Sequence, residues 1–336
     1  MNRGIRLACQ LICGLVFLFV GGVWHSVWGK DPDYPTKPIN LLIPFSAGGS
    51  TDVCVRALIE GTNKHLKQPL VPVNKPGAAG AICTMAVISS KPDGYTIGQA
   101  GPSPGYGAPL SGLAPYKDLK GLTFIMNFAD YFYPVMVRAD AQWKSWAELI
   151  QWAKKNPGDV KIGLPGDKKT AIQPLVFREI EQKEGVKFTY IPFKGAGEVV
   201  TALLGGHITL TGTSAEATGV SLLEAGKLRV LIYLNDIKLP GFENVPTSME
   251  LYGIMIPRLC GIWGPRGLPD YIVKKLGEAF AQGTKDPEFT KVMKAVQMPI
   301  VYMDSNQMSK YVQEEFQKTA ELLKRLEAAE ALQEKK

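Results

Sequence analysis

Short uninterrupted apolar runs alternate along this chain with segments whose apolar residues recur every three to four positions. Ile39 to Phe45 (INLLIPF) is the first such run. It predicts a strand buried on both faces of a parallel sheet. In the segment that follows, Val55, Leu58, Ile59, Thr62 and Leu66 share one helical face, and Ser50 or Thr51 is expected to cap its start. Leu70 to Val73 predicts the next strand. Pro72 lacks a donor for a strand ladder, so this strand is expected at a sheet edge. A Gly-rich turn, a helix from Gly80 to Ser89, a turn at Pro92-Asp93-Gly94 and a strand from Tyr95 to Ala100 complete a βαβαβ unit. That order implies a doubly wound α/β sheet.

Gly101 to Pro115 is read as a Gly/Pro-rich loop. Phe124 to Ala129 and Tyr133 to Arg138 predict two strands that carry the chain into a second domain. Ser145-Trp146-Ala147-Glu148 predicts a capping box opening a helix that runs to about Lys155. Further strands are expected at Val160 to Leu164, Phe188 to Ile191, Ile208 to Thr211 and Leu228 to Tyr233. An apolar stretch from Gly253 to Gly264, broken by Pro257, predicts a return crossing. Helices at Tyr271 to Thr284 and Pro287 to Val296, a strand at Ile300 to Tyr302 and a long terminal helix capped by Asp304 and Gln307 follow. The terminal helix carries an apolar stripe (Met308, Tyr311, Val312, Phe316, Leu323 and Leu326) that is expected to dock on the first domain.

The N-terminus breaks this pattern. Arg3 and Arg6 precede an apolar run from Leu7 to Val23 interrupted only by Gln10, and small residues follow at Val27 and Gly29. Basic, apolar, then small is the order of a secretory signal, with cleavage expected before Lys30 and an uncleaved N-terminal anchor as the alternative. The chain has 336 residues, a length that suits two domains, and no second long apolar run, which excludes a polytopic membrane protein. Its net charge of +7 is scattered among pairs such as Lys154-Lys155 and Lys274-Lys275, so no basic stripe for nucleic acid exists. Beyond the signal, Cys54, Cys83 and Cys260 match no metal-binding spacing. Small apolar filler is expected of each, with a Cys54–Cys83 bridge as the alternative in an oxidising compartment.

Catalytic equipment is scarce. His65 lies near a helix end and His207 in a turn, and both are read as structural. Gly101-Pro102-Ser103-Pro104-Gly105 matches a nucleophile-elbow string, but the segment after it reads as loop where that motif needs a helix. An enzyme is therefore not expected, and no cofactor or metal is called for. The chain instead repeats one arrangement of strand, Gly-rich turn and helix start. It occurs at Pro44 to Asp52, Asn74 to Gly80, Gly163 to Gly166 and Lys194 to Gly197. Glycines let backbone approach a ligand, and N–H groups at a helix start bind anions. In open α/β sheets such turns line a crevice at the carboxyl ends of the strands.

With these motifs in view, the chain resembles the Bug family, extracytoplasmic solute receptors of tripartite tricarboxylate transporters. The likeness runs through Tyr34-Pro35-Thr36-Lys37-Pro38, Pro44 to Asp52, Asn74 to Gly80, Pro92 to Thr96, Pro192 to Gly195, Leu203 to Gly206, Ala225 to Arg229 and Val245 to Thr247. The resemblance implies a type II periplasmic-binding-protein fold, two doubly wound α/β lobes joined by two crossing strands. Lobe 1 would comprise 30–130 and 254–336, lobe 2 would comprise 131–253, and 1–29 would be the signal. It implies a periplasmic monomer that binds a small organic carboxylate and partners the permease subunits of a membrane transporter, without a cofactor and without nucleic acid. Carried over by motif, the ligand-binding candidates are Phe45, Ser46, Ala47, Gly48, Gly49, Ser50, Thr51 and Asp52, then Pro76, Gly77, Ala78, Ala79 and Gly80, then Ser103. From the second lobe come Gly163, Leu164, Pro165 and Gly166, then Phe193, Lys194 and Gly195, then Thr211, Thr213 and Ser214. Lys168 and Lys169 depart from the family pattern and either face a second carboxylate or are solvated. The alternatives are a sensor of the same fold that signals to a membrane kinase, and a secreted hydrolase using Ser103.

Overall fold

The structure is a computed structural model that describes residues 33–112, 114–165, 171–214 and 217–333. The signal segment, with Cys9 and Cys13, lies outside the described residues, as do Gly166, Lys168 and Lys169. The chain divides into two units, Met1–Tyr34 and Pro35–Lys336. All the described strands and helices belong to the second.

Six strands form the principal sheet. β1 (Ile39–Ile43) runs parallel to β2 (Leu70–Asn74) on one side and to β3 (Thr96–Ala100) on the other. β10 (Cys260–Pro265) is antiparallel to both β3 and β4 (Leu122–Ala129), and β11 (Ile300–Met303) closes the far edge. The order is β11-β4-β10-β3-β1-β2. Ile39, Leu41 and Ile43 are fully buried, as expected of a strand covered on both faces. β2 is the edge strand, as Pro72 required, and Val71 and Val73 stay exposed on it. Helices α1 (Ser50–Asn63) and α2 (Ala81–Ile88) make the crossovers.

The second set of strands comes from the middle of the chain. β6 (Val160–Pro165) pairs in parallel with β7 (Phe188–Phe193) and β8 (Leu210–Thr211), while β5 (Pro134–Arg138) pairs antiparallel with β9 (Leu228–Tyr233). Between β8 and β5 the backbone ladder is interrupted, and a side chain bridges the gap. Thr211 Oγ1 accepts from Met136 N–H at 3.0 Å and donates to Pro134 O at 3.3 Å. The result is β7-β6-β8-β5-β9. In both lobes three parallel strands are followed by one that arrives from the other lobe.

Helices α3 (Trp146–Lys155), α4 (Gln173–Glu184), α5 (Ala196–Leu204), α6 (Ala217–Glu224) and α7 (Ser248–Tyr252) belong to this middle part. Helices α8 (Asp270–Gly283), α9 (Pro287–Ala295) and α10 (Ser305–Gln333) follow β10. Among the described residues no helix is long and apolar enough to cross a membrane.

Several expectations need correction. The segment after β3 is not a loop, because Ser103–Gly107 forms a wide helical turn that continues through Ala108–Leu110. A buried segment must satisfy its own backbone groups, and the helical turn does so. Neither Ser50 nor Thr51 caps α1. Gly49 is its N-cap and no side chain closes it. Ser145 does cap α3, but Glu148 returns its bond to Lys144 N–H, so the box is shifted by one residue. The terminal helix docks on the first lobe, where Ser305 Oγ donates to Phe124 O, with the Asp304–Gln307 cap formed as expected. It also reaches across to α4, where Arg178 meets Glu330 through two hydrogen bonds and Arg325 meets the buried Glu179 at 2.6 Å.

Cys54, Cys83 and Cys260 are buried free thiols, which removes the Cys54–Cys83 bridge. Burial pushes Cys54 and Cys83 up to about 12 and Cys260 well above its ordinary value. The thiolate is the reactive form. All three are therefore expected to resist an aromatic disulfide reagent at pH 8 in the native protein and to react on denaturation. Prompt native-state reaction of any of the three would contradict this packing.

Candidate functional site

Because β1, β2 and β3 run parallel, the segments that follow them leave the same edge of the sheet. These are Phe45–Gly49, Lys75–Gly80 and the helical turn at Ser103. They also touch. A Cβ built on Gly80 would lie 3.1 Å from both Pro44 Cβ and Pro104 Cγ, so Gly80 fits the seam between the other two. Gly77 and Gly80 have φ of 130° and 91°, and Ala78 and Ala79 between them have φ of 47° and 51°. Two consecutive alanines in the left-handed region are strained, and such strain concentrates at functional sites.

The turn after β1 is held by a partly exposed network centred on a buried carboxylate. Asp52, 3% exposed, accepts from Gly48 N–H at 3.0 Å, from Arg56 Nε at 2.9 Å and from Asn74 Nδ2 at 2.8 Å. Asn74 Nδ2 also donates to Phe45 O at 3.0 Å, and Arg56 Nη2 donates to Asn74 Oδ1 at 2.8 Å. Burial pushes the Asp52 carboxyl up, but the bonds from Arg56, Gly48 and Asn74 outweigh it and hold it below its ordinary value. Asp52 is thus a support for the turn. Gly48 N–H is engaged by it and is not free for a guest. What the turn presents is the start of the 14-residue helix α1, with no side-chain cap. Its first N–H groups have no intrahelical acceptor.

In the second lobe β6, β7 and β8 are likewise parallel, so their carboxyl ends share one edge. Gly163 lies inside β6, where an added Cβ would strike Ile208, Val199 and Phe193, so its small size serves packing. Leu164 is buried and Pro165 ends the strand. Phe193 is half-buried, and Lys194 N–H is engaged by Glu198 Oε2 at 3.1 Å. Gly195 is the N-cap of α5, again with no side-chain cap. Thr211 is occupied as the bridge to β5. Thr213 is 2% exposed and its hydroxyl has no partner among the described residues, and the following Ser214 is half-buried.

Sequence reasoning missed Gln173 at the start of α4, 5% exposed with Oε1 unpartnered among the described residues. It also missed Tyr131, on the crossing between lobes. Thr51 Oγ1 and Tyr131 Oη lie 2.9 Å apart, while Thr211 is bonded to Pro134 O. Tyr131 and Pro134 are three residues apart, a span of at most about 11 Å. Candidates from the two lobes are therefore tied to neighbouring points on one crossing strand. Composition gave no signal for Tyr131 because its role exists only once the lobes are joined. His65 and His207 are exposed, and each precedes a strand, β2 and β8 respectively, at the sheet edge opposite these turns.

A cavity of 580 Å³ lies elsewhere, among the turn after β3, α4, β7 and α10. None of the described candidates lines it, and of its charges Arg178 is bonded to Glu330, and Glu181 accepts from Phe188 N–H and Tyr190 Oη.

Residues 54–328 match the model of the tripartite tricarboxylate transporter family receptor, TctC. The chain belongs to this family. It is 36% identical over 300 residues to a UPF0065 protein encoded in the gbd 5′ region of Cupriavidus necator, covering 89% of this chain and 90% of that one. Among solved structures, a TctC solute-binding protein from Polaromonas aligns with TM-score 0.71 and 33% identity, over 87% of this chain and 99% of the other. MatC from Rhodopseudomonas palustris, with bound malate, shares the fold at TM-score 0.74 and 21% identity, over 86% and 99%. The chain is a TctC-family solute-binding receptor with the two-lobed α/β fold of periplasmic binding proteins.

Proposed function

We propose that this TctC-family receptor is exported to the periplasm, captures a small organic carboxylate between its lobes, closes on it as a monomer and delivers it to the membrane subunits of a tripartite transporter. The lobes would divide at 30–130 with 254–336 against 131–253. The observation that carries this reading is the uncapped start of α1, presented by a turn that Asp52 fixes and tied through Thr51 to the same crossing strand that holds Thr211. A family relation to tricarboxylate receptors and a same-fold protein with bound malate agree with an anionic guest.

A helix start contributes about 0.3–2 kcal/mol to anion binding. Micromolar affinity needs about 8 kcal/mol. One turn is insufficient, so contacts from the second lobe must add to it and closure must exclude water, which strengthens every polar contact. The ligand is expected to leave chemically unchanged.

A thermal-shift screen of the purified protein against mono-, di- and tricarboxylates, neutral sugars and organic cations tests this. At a hundredfold excess over Kd, ligand stabilises by about 2.7 kcal/mol, which for a chain of this size is expected to raise the melting midpoint by about 5 °C. Shifts from sugars or cations alone would refute carboxylate capture.

A further inference from the structure

Three extended segments run side by side where the lobes join. Leu234 N–H donates to Tyr133 O at 2.9 Å, and Ile256 N–H donates to Leu234 O at 2.6 Å. Each segment carries one charge at the same end. Asp130 opens the first, Asp236 follows on the second and Arg258 on the third. Arg258 Nε is 3.1 Å from Asp130 Oδ2, and its Nη2 donates to Asp236 Oδ2 at 2.5 Å. One guanidinium thus ties two carboxylates on separate segments. Its own backbone is pinned as well: Arg258 N–H donates to Tyr311 Oη of α10 at 2.9 Å, and Arg258 O accepts from Tyr106 Oη at 3.3 Å.

The two carboxylates are not equivalent. Asp236 is partly open to water, whereas Asp130 is 1% exposed. Asp130 Oδ1 accepts from Tyr131 N–H at 2.8 Å, but Oδ2 and Arg258 Nε form no aligned hydrogen bond despite their proximity. Charge dominates their attraction, which weakens if the carboxylate gains a proton. We propose that Asp130, Arg258 and Asp236 form a proton-operated clasp on the hinge, which sets how readily the lobes change their separation and so how tightly ligand is held. The clasp rests on the reading of lobe closure given above. The proton adds to Asp130 Oδ2, and Arg258 remains with Asp236.

Burial pushes Asp130 up to about 7, against the pull of Tyr131 N–H and Arg258. The other groups facing it are Tyr106, Tyr133, Tyr311, Cys260 and Asp236. Burial raises the three tyrosines and Cys260 above their ordinary values, so they stay protonated near neutrality. An unfolded chain would ionise this carboxyl near its ordinary 3.8. The folded state binds the extra proton between those two values, so the stability this group contributes is complete below the lower one and is lost as pH rises through about 7.

Amide hydrogen exchange of the purified full chain, corrected for intrinsic rates, reads the hinge without any ligand. Between pH 5.5 and 8.5, protection of 129–134, 234–236 and 254–260 is expected to fall at least about threefold, with a midpoint near pH 7, because an opening that wets Asp130 is disfavoured while the folded carboxyl keeps its proton. Asp130→Asn should flatten the profile. Arg258→Gln removes the cation that favours ionised Asp130 and should move the midpoint to higher pH. A flat wild-type profile, or an Asp130→Asn profile that titrates like the parent, would overturn the clasp, as would an unmoved midpoint in Arg258→Gln. Because no ligand enters this measurement, the clasp can fail while carboxylate capture stands, and the reverse.

Discussion

Replacing Gly261 with alanine is expected to destabilise the protein by about 3 kcal/mol or more, at the upper end of what overpacking produces. A Cβ at this position would lie 2.4 Å from Met126 O and 3.1 Å from Asn127 Cα, and 2.7 Å from Met308 Cε. The methionine could swing aside. The backbone could not, because β4 is held on one side by β10 and on the other by β11, and the register of β10 on β4 already shifts between Cys260 and Gly261. Gly261 also follows the return crossing directly, so a displaced β10 would disturb Asn127 Oδ1, which accepts from Cys260 N–H at 2.7 Å. The matched control is Gly197→Ala in α5, where nothing lies within 4 Å of the added carbon and alanine is the better helix former. Thermal melts of both variants decide the matter. A Gly261→Ala midpoint within about 1 °C of the parent would mean that the central sheet is far more pliable than close packing allows.

Much of this architecture was legible along the chain because the signals are local. Ile39 to Phe45 reads as a doubly covered strand, of which Ile39–Ile43 forms one, and Pro72 places β2 at an edge without reference to any partner. The Gly-rich turns at Pro44 to Asp52, Asn74 to Gly80 and Lys194 to Gly197 also fall at strand ends as their composition implies. The failures share a different cause. Ser103–Leu110 looks like loop because Gly and Pro disfavour helix, yet burial forces its backbone groups to pair and a helical turn is the local way to do so. Gly163 reads from composition as a turn glycine but lies inside β6, packed against Ile208 and Val199, which arrive from later in the chain. The reach of α10 to α4 and the meeting of Asp130, Asp236 and Arg258 likewise exist only after long-range assembly. No window of sequence contains them.

Asp52→Ala is expected to weaken ligand binding at least about tenfold, corresponding to about 1.4 kcal/mol, even though Asp52 is not expected to touch the ligand. Its carboxylate gathers three donors from three places: Gly48 on the turn, Arg56 one helical turn further on, and Asn74 at the end of β2. Removing it frees Gly48 N–H and leaves Arg56 without its buried counter-charge, so the turn that presents the start of α1 loses its fixed path. A bare electrostatic view predicts the opposite sign. Deleting a negative charge beside an anion site should tighten anion binding, and Arg56 would then be an unpaired cation close by. The two views separate cleanly in calorimetric titrations of Asp52→Ala, Asp52→Asn and the parent. If positioning dominates, the alanine variant binds most weakly, and asparagine, which keeps an acceptor for Gly48 and Arg56, recovers part of the loss. If long-range charge dominates, both variants bind more tightly than the parent, and more so at low ionic strength, where screening is least. Tighter binding by both would show that the α1 turn does not need its buried support to receive an anion.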